Sequence, residues 1–538
     1  MSRPVDAGST RAAAAWSLIV VLLLALRVPA IVEPAGNDQS LYMYVADQVR
    51  HRGVPYVDAW DQKPPAIFFL YAALRSVWPH QSAVAIADLL GAGIVAALLF
   101  VIGRRTIGGH GGGVAASVFA LFSHPSFARL SGVYVRGQCE VFFAVAVTAA
   151  IGLAWRRHRR ATSLFAAGLG LGVAFWLKYN ALAYAAPIFF AMVFAAERDR
   201  PGWRTIAAGT AWVAAGAVAI SGLVVSYFAL HGALGALWLA TIEYNLRYSG
   251  ETYTAGAAGA LRYALELPLE RGGADMLWFL GLAGGACLAV AGWRRHRALT
   301  VVVLTWLAAA ILSILVNGAR NLPQYFVQAA PALALASAAG LVLTWRLGAI
   351  GRIVVTVIVA AGFWRVGVDA PVAGLRWGAL PQMFENVAFD MRYIRGSVPR
   401  AEYLSRFVGA QKYSASAVDD LSGYIAQTTS AADRILVFGF APAVYLESHR
   451  LSASRFFWSR PVVLEFAADH EGYGSGGLLM DLTRSRPAVI ALQKQDWGPM
   501  DPNSEAFFLG QPPLRAWLTA GYALDRETPF FSVWRRRS

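Results

Sequence analysis

Apolar runs of membrane-spanning length recur along this chain, separated by short polar stretches. A helix needs roughly 20 such residues to cross the hydrocarbon core of a bilayer. The runs lie near 12–32, 82–103, 113–128, 138–155, 161–177, 181–196, 205–230, 274–292, 299–316, 325–345 and 350–367. They predict about eleven spanning helices. Two further stretches, Ala66–Trp78 and Leu234–Tyr248, are amphipathic and fit helices lying along the membrane surface. From about Ala370 the pattern changes. Strand patterns occur at Asp433–Phe440, Pro487–Gln493 and Phe530–Arg535, and a helix-like Ala443–Ser448 follows the first. Strands alternating with helices predict a small α/β domain. The expected division is a membrane-spanning part, 1–368, and a soluble part, 369–538.

Composition agrees. Of 538 residues, 57% are hydrophobic and only 15% charged, and the mean hydropathy is +0.47, a balance expected of a polytopic membrane protein. The net charge of +15 would by itself suggest nucleic acid, but the distribution of arginine argues against such a partner. With the N-terminus inside, the cytoplasmic loops are 104–112, 156–160, 197–204, 293–298 and 346–352. They hold Arg104 and Arg105, the Arg156–Arg160 cluster, Arg198, Arg200 and Arg204, Arg294–Arg297, and Arg346 and Arg352. Every second loop is therefore basic, as the positive-inside rule requires. The opposite loops, 33–81, 129–137, 178–180, 231–273 and 317–324, are then outside, and so is the C-terminal domain. Arg3 and Arg11 precede the first run. That run is long, and Arg27 stands where a signal-peptide cleavage region would lie, so it reads as a retained helix. Cys139 and Cys287 both lie in apolar surroundings, which argues against a disulfide framework or a cysteine-based metal site.

The non-arginine polar chemistry concentrates on the outer side, above all in Gly36–Pro65, which reads GNDQSLYMYVADQVRHRGVPYVDAWDQKPP. Asn37 is a good helix N-cap, Asp38 would open the helix, and Gly53 can end it. An acid in the first turn is favoured by the helix dipole. Directly after a membrane helix, it is also a candidate for catalysis. Lys63 precedes two prolines that stiffen the backbone. It either snorkels to the interface or pairs with a lipid phosphate. Lys178 in WLKYNAL, Arg247 in EYNLRYSGETY and Arg320 in NGARNLPQYF place positive charge outside, against the general trend, and suggest anion binding. Glu140 begins the fourth span with Arg136 one turn earlier, a spacing that also allows a local ion pair.

Other signals are absent. The sequence has no Walker loop and no HExxH, and its histidines are scattered. GLGLG at Gly168–Gly172 lies inside an apolar run and reads as close helix packing. RFFWSRP at Arg455–Pro461 fits either contact with acceptor or membrane, or aromatic core packing.

The segment NDQSLYMYVADQV…GVPYVDAWDQKPPAIFFLYA resembles the first outer loop of the GT-C glycosyltransferases. The resemblance is to the branch that contains protein O-mannosyltransferases and the lipid A aminoarabinose transferase. Ser131–Phe142, Phe175–Leu182, Arg320–Ala336 and the C-terminal FGFAPAVYLESHRLSASRFFW are similar as well. The resemblance implies a GT-C fold that transfers a sugar, with inversion, from a polyprenyl-phosphate carrier to a lipid, glycan or protein acceptor. It implies a site on the outer face of a bacterial cytoplasmic membrane. It also places Asp38 as general base and Lys63 on the donor phosphate. Two departures stand out: Gln39, where many members have Glu, and Gln324, where many have His. Lys63, Lys178, Arg247 or Arg320 can stabilise the departing phosphate. Gln39, Tyr42, Asp61, Glu140, Gln324 and Tyr325 are further candidates for substrate contact. One base and cationic groups suffice for single-displacement inversion. No cofactor is then required, and a divalent metal is left open. A flippase for a lipid-linked saccharide is the rival reading. Such transporters often carry internal symmetry, and none is visible here.

Overall fold

Among the described residues, each apolar run is helical. The structure, a computed structural model, describes residues 7–125, 131–156, 160–195, 201–250, 256–317, 322–365, 380–409, 413–494, 496–497 and 502–537. Among the described residues six helices are long and apolar enough to cross a membrane: Ala12–Val32, Ala83–Thr106, Trp203–Leu230, Met276–Arg295, Arg297–Val316 and Pro323–Trp345. The remaining apolar runs form shorter helices, at Gly111–Phe122, Cys139–Ala154, Ala161–Leu177, Tyr179–Phe194 and Ala349–Phe363. The protein is a multi-pass α-helical membrane protein with a small C-terminal sheet domain.

The chain divides into two compact units, and neither is continuous in sequence. A helical unit comprises Met1–Val32, Val84–Tyr227 and Arg247–Ile394. A mixed unit comprises Glu33–Ala83, Phe228–Leu246 and Arg395–Ser538. The first long loop thus belongs with the C-terminal domain, and the helix Leu380–Ile394 belongs with the membrane helices.

In the helical unit, burial separates central from peripheral helices. Pro323–Trp345 is 83% buried along its apolar window, whereas Trp203–Leu230 is 17% buried and exposes Trp212, Val218 and Leu223, as a helix facing lipid would. Small residues allow close approach. A Cβ on Gly168 would collide with the carbonyl of Val213, and one on Gly216 with the carbonyl of Phe165. The GLGLG segment is therefore a packing surface. Arg27, at the end of the first helix, makes a 2.5 Å ion pair with Asp88 and donates to the carbonyl and hydroxyl of Ser123 at 3.2 Å. Both charged side chains are buried, where a partner is needed to offset lost hydration.

The mixed unit is built on a five-stranded sheet: β1 (Arg434–Phe438), β2 (Leu451–Ser452), β3 (Val489–Gln493), β4 (Tyr522–Glu527) and β5 (Phe531–Arg536), in the order β2-β1-β3-β5-β4. β1 is parallel to β2 and β3, β3 is antiparallel to β5, and β5 to β4. Residues Ile435–Phe438 and Val489–Leu492 are essentially without exposure, which suits the central parallel pair of a covered sheet.

The first-loop helix runs Asn37–Arg50 and packs on the helices Ala66–Val77 and Ala443–Ser448. Its N-cap is Gly36 and not Asn37, because the Gly36 carbonyl already accepts the Ser40 N–H at 3.0 Å. At the other end Gly53 N–H bonds the Gln48 carbonyl at 2.8 Å and Arg52 N–H the Val49 carbonyl at 3.0 Å. This is a Schellman closure, and its left-handed residue is Arg52 (φ 69°). Tyr44 hydroxyl accepts the Ser452 N–H at 2.8 Å, and its ring stacks on Phe457 at 4.4 Å. Phe456, Phe457 and Trp458 are at most 2% exposed, so the RFFWSRP stretch supplies core packing.

Candidate active site

In the mixed unit, the turn that carries Asp61 and Lys63 is held by its backbone. Trp60 N–H donates to the Arg455 carbonyl at 2.9 Å, and the Trp458 indole donates to the Trp60 carbonyl at 2.9 Å. Asn245 donates to the Gln62 carbonyl at 2.8 Å, and the Tyr56 hydroxyl to the Lys63 carbonyl at 2.7 Å. The Trp60 ring, fully buried, sits among Tyr244, Phe466, Trp458 and Phe456 at 5.0–6.3 Å. Tyr56 itself has φ of 71°, a left-handed conformation that costs a non-glycine residue roughly 1–2 kcal/mol. It persists because its N–H bonds the Ala59 carbonyl and its ring is buried on Phe228 and Phe68. A turn fixed this firmly holds Asp61 and Lys63 with little freedom to relax.

Asp38 lies in the first turn of its helix and is half-buried, as is Lys63. Asp61 is fully buried, and its Oδ1 accepts the Gln62 N–H at 2.6 Å. Burial raises its pKa to about 7; Lys63 opposes that shift and Asp38 adds to it. Both charges are therefore within electrostatic reach of Asp61. The fold thus assembles two carboxyls and one ammonium from the two ends of a short segment. Such a set can accept a proton and neutralise a phosphate.

The other two first-loop candidates are buried. Gln39 is 1% exposed, and Tyr42 has no exposure, its ring lying 6.0 Å from Tyr71 and 6.4 Å from Phe68. Tyr42 is thus part of the packing of its helix on Ala66–Val77.

In the helical unit, three candidates from distant segments meet. Lys178 Nζ is 2.5 Å from Glu140 Oε1 and 4.1 Å from the ring centre of Tyr325. Lys178 is 8% exposed and Glu140 1%. Gln324, also 8% exposed, precedes Tyr325 on the 3-10 helix Pro323–Ala329. Gln328 on the same helix accepts from Tyr184 at 3.1 Å and from Ser313 at 2.6 Å. Arg247 is exposed on the helix Tyr244–Gly250. Arg320 lies outside the described residues.

A second cation–carboxylate pair escaped the sequence reading. Arg271 Nη2 is 2.9 Å from Asp275 Oδ2, and its guanidinium lies 4.2 Å from the ring centre of Phe326. Adjacent residues Tyr325 and Phe326 thus each carry a cation that is matched by an acid. The i,i+4 spacing of Arg271 and Asp275 just before an apolar run was the available signal.

No protein-family model and no curated protein sequence matches the chain. Solved structures do. ArnT from Cupriavidus metallidurans bound to undecaprenyl phosphate superposes with a TM-score of 0.59 at 14% identity, covering 98% of this chain and 98% of that one. ArnT from the same organism in the apo state gives 0.55 at 13% identity, covering 97% and 98%. An oligosaccharyltransferase from Archaeoglobus fulgidus in the apo form gives 0.48 at 12% identity, covering 95% and 73%. Over nearly its whole length the chain shares the fold seen in ArnT.

Proposed function

We propose that this protein is an integral-membrane inverting glycosyltransferase. It takes a sugar from a polyprenyl-phosphate carrier and passes it to a lipid, glycan or protein acceptor at the outer face of a bacterial cytoplasmic membrane. The observation that carries this reading is the clamped Trp60–Lys63 turn, which holds Asp61 within electrostatic reach of both Lys63 and Asp38. The ArnT fold and the undecaprenyl phosphate bound to that neighbour support it.

The roles in this reading are as follows. Asp38, half-buried at a helix start, removes the acceptor proton. Lys63 offsets the charge that builds on the phosphate as the sugar leaves. Lys178 has Glu140 as counter-ion in its own unit, so the phosphate role rests first on Lys63. The basic loops that alternate along the chain support an outer position for the first loop.

The test is transfer from undecaprenyl-phosphate-linked sugars in membranes with and without the protein, read by mass spectrometry of envelope glycolipids and glycoproteins. Asp38→Asn is expected to abolish transfer while leaving thermal unfolding unchanged. Normal transfer by that variant removes Asp38 as base. Movement of the lipid-linked sugar across proteoliposomes without acceptor modification would make the protein a flippase.

A further inference from the structure

The clamped turn contains a group that the roles above leave unused. Asp61 has no solvent exposure. Its carboxyl accepts the backbone N–H of Gln62, at Oδ1, and that of Lys63, while its Oδ2 is a buried oxygen without a matched partner. A buried polar atom left unmatched in a native fold calls for an explanation, and at a clamped turn a ligand is the natural one. The charged groups acting on it are Lys63, two residues on, and Asp38, at the start of the neighbouring helix.

We propose that Asp61 is a second catalytic carboxyl, a general acid that protonates the departing phosphate. This rests on the transferase reading and deepens it. The bond from the anomeric carbon to the phosphate oxygen breaks, and its electron pair stays on that oxygen. Asp61 gives its proton to the phosphate, and Lys63 offsets the remaining negative charge. The acceptor oxygen forms the new bond to the anomeric carbon and yields its proton to Asp38. The proton then passes from Asp38 to Asp61, which restores both carboxyls.

The environment suits each partner to its task. Burial holds Asp61 neutral up to about pH 7, and the charge of Asp38 reinforces this. When Asp38 takes the acceptor proton, that repulsion vanishes and Asp61 parts with its own proton more readily. Two neighbouring carboxyls whose environments differ in this way divide naturally into an acid and a base.

The test is the pH profile of kcat/KM for the full-length chain in lipid nanodiscs, with undecaprenyl-phosphate-linked hexoses and pentoses as donors. The wild-type rate should fall as pH rises through about 7. Asp61→Asn should lower kcat by about 100-fold and flatten that alkaline limb. Asp61→Glu should keep the limb and recover part of the rate. Thermal unfolding of Asp61→Asn at or above the wild-type temperature separates this from a folding defect. A wild-type rate for Asp61→Asn, or an alkaline limb that survives in it, overturns the assignment. Absence of transfer by the wild-type chain overturns the transferase reading itself, and this assignment with it.

Discussion

Lys178 invites a test that separates a structural charge from a substrate contact. Its ammonium is 2.5 Å from Glu140 and 4.1 Å from the Tyr325 ring centre, with both charged residues at least nine-tenths buried. Lys178→Met leaves Glu140 as a buried anion without that partner, and Glu140→Gln leaves the ammonium without its counter-ion. Breaking a buried pair from one side costs about 3–5 kcal/mol. Removing Lys178 also loses a cation–π contact of about 1 kcal/mol. The double variant buries no unmatched charge, so it should cost far less than the sum of the two. The coupling should therefore reach about 3 kcal/mol, against the ~0.5 kcal/mol expected of independent sites. Denaturant unfolding in one detergent, followed by tryptophan fluorescence, gives the four free energies. Additive single costs below about 1 kcal/mol each would refute the argument, because they would mean that the pair is hydrated and weakly coupled. A double variant that regains stability and still transfers no sugar would assign Lys178 to the donor phosphate as well.

Other outcomes follow from the same structure. Asp61 has its pKa raised by burial from 3.8 to about 7, so between these values the folded chain holds a proton that the unfolded chain has released. The stability this contributes is complete below about pH 4 and is lost as pH rises through 7, about 4 kcal/mol in all. Asp61→Asn cannot titrate, so its advantage in melting temperature over wild type should grow between about pH 5 and pH 8. An equal difference at both would contradict the linkage. In the helical unit, Gly168→Val should lose about 1–3 kcal/mol, because the added side chain meets the Val213 carbonyl; an unchanged melting temperature would show that the helices can separate there without cost.

Much of the architecture was legible locally. Each apolar run is a helix because a segment inside a bilayer must satisfy its own backbone hydrogen bonds, and that demand is written in hydropathy alone. The three strands read from the sequence are β1, β3 and β5, the interior of the sheet, where burial enforces an apolar run. The two that escaped, β2 and β4, are its edges. β2 has only two residues, and β4 is mostly exposed and carries Asp525 and Arg526. Edge strands are kept short or charged to discourage further pairing, so they lack the pattern that reveals a strand.

The candidate site divides in the same way. Asp38, Asp61 and Lys63 lie within one short segment, and residue type, neighbourhood and the family resemblance made them candidates. Their surroundings come from elsewhere in the chain. Arg455 and Trp458, far along the chain, hold the turn; burial leaves one oxygen of Asp61 unmatched and keeps its proton on to neutral pH. Glu140, Lys178 and Tyr325 come from three separate segments, and the long-range packing of membrane helices made them partners. Sequence by itself determined which segments are helical and which residues can carry charge, because hydropathy and ionisation are properties of the residues themselves. Only the tertiary structure decided which charges neutralise one another and which acid stays protonated, because both depend on the distance and burial that distant segments impose.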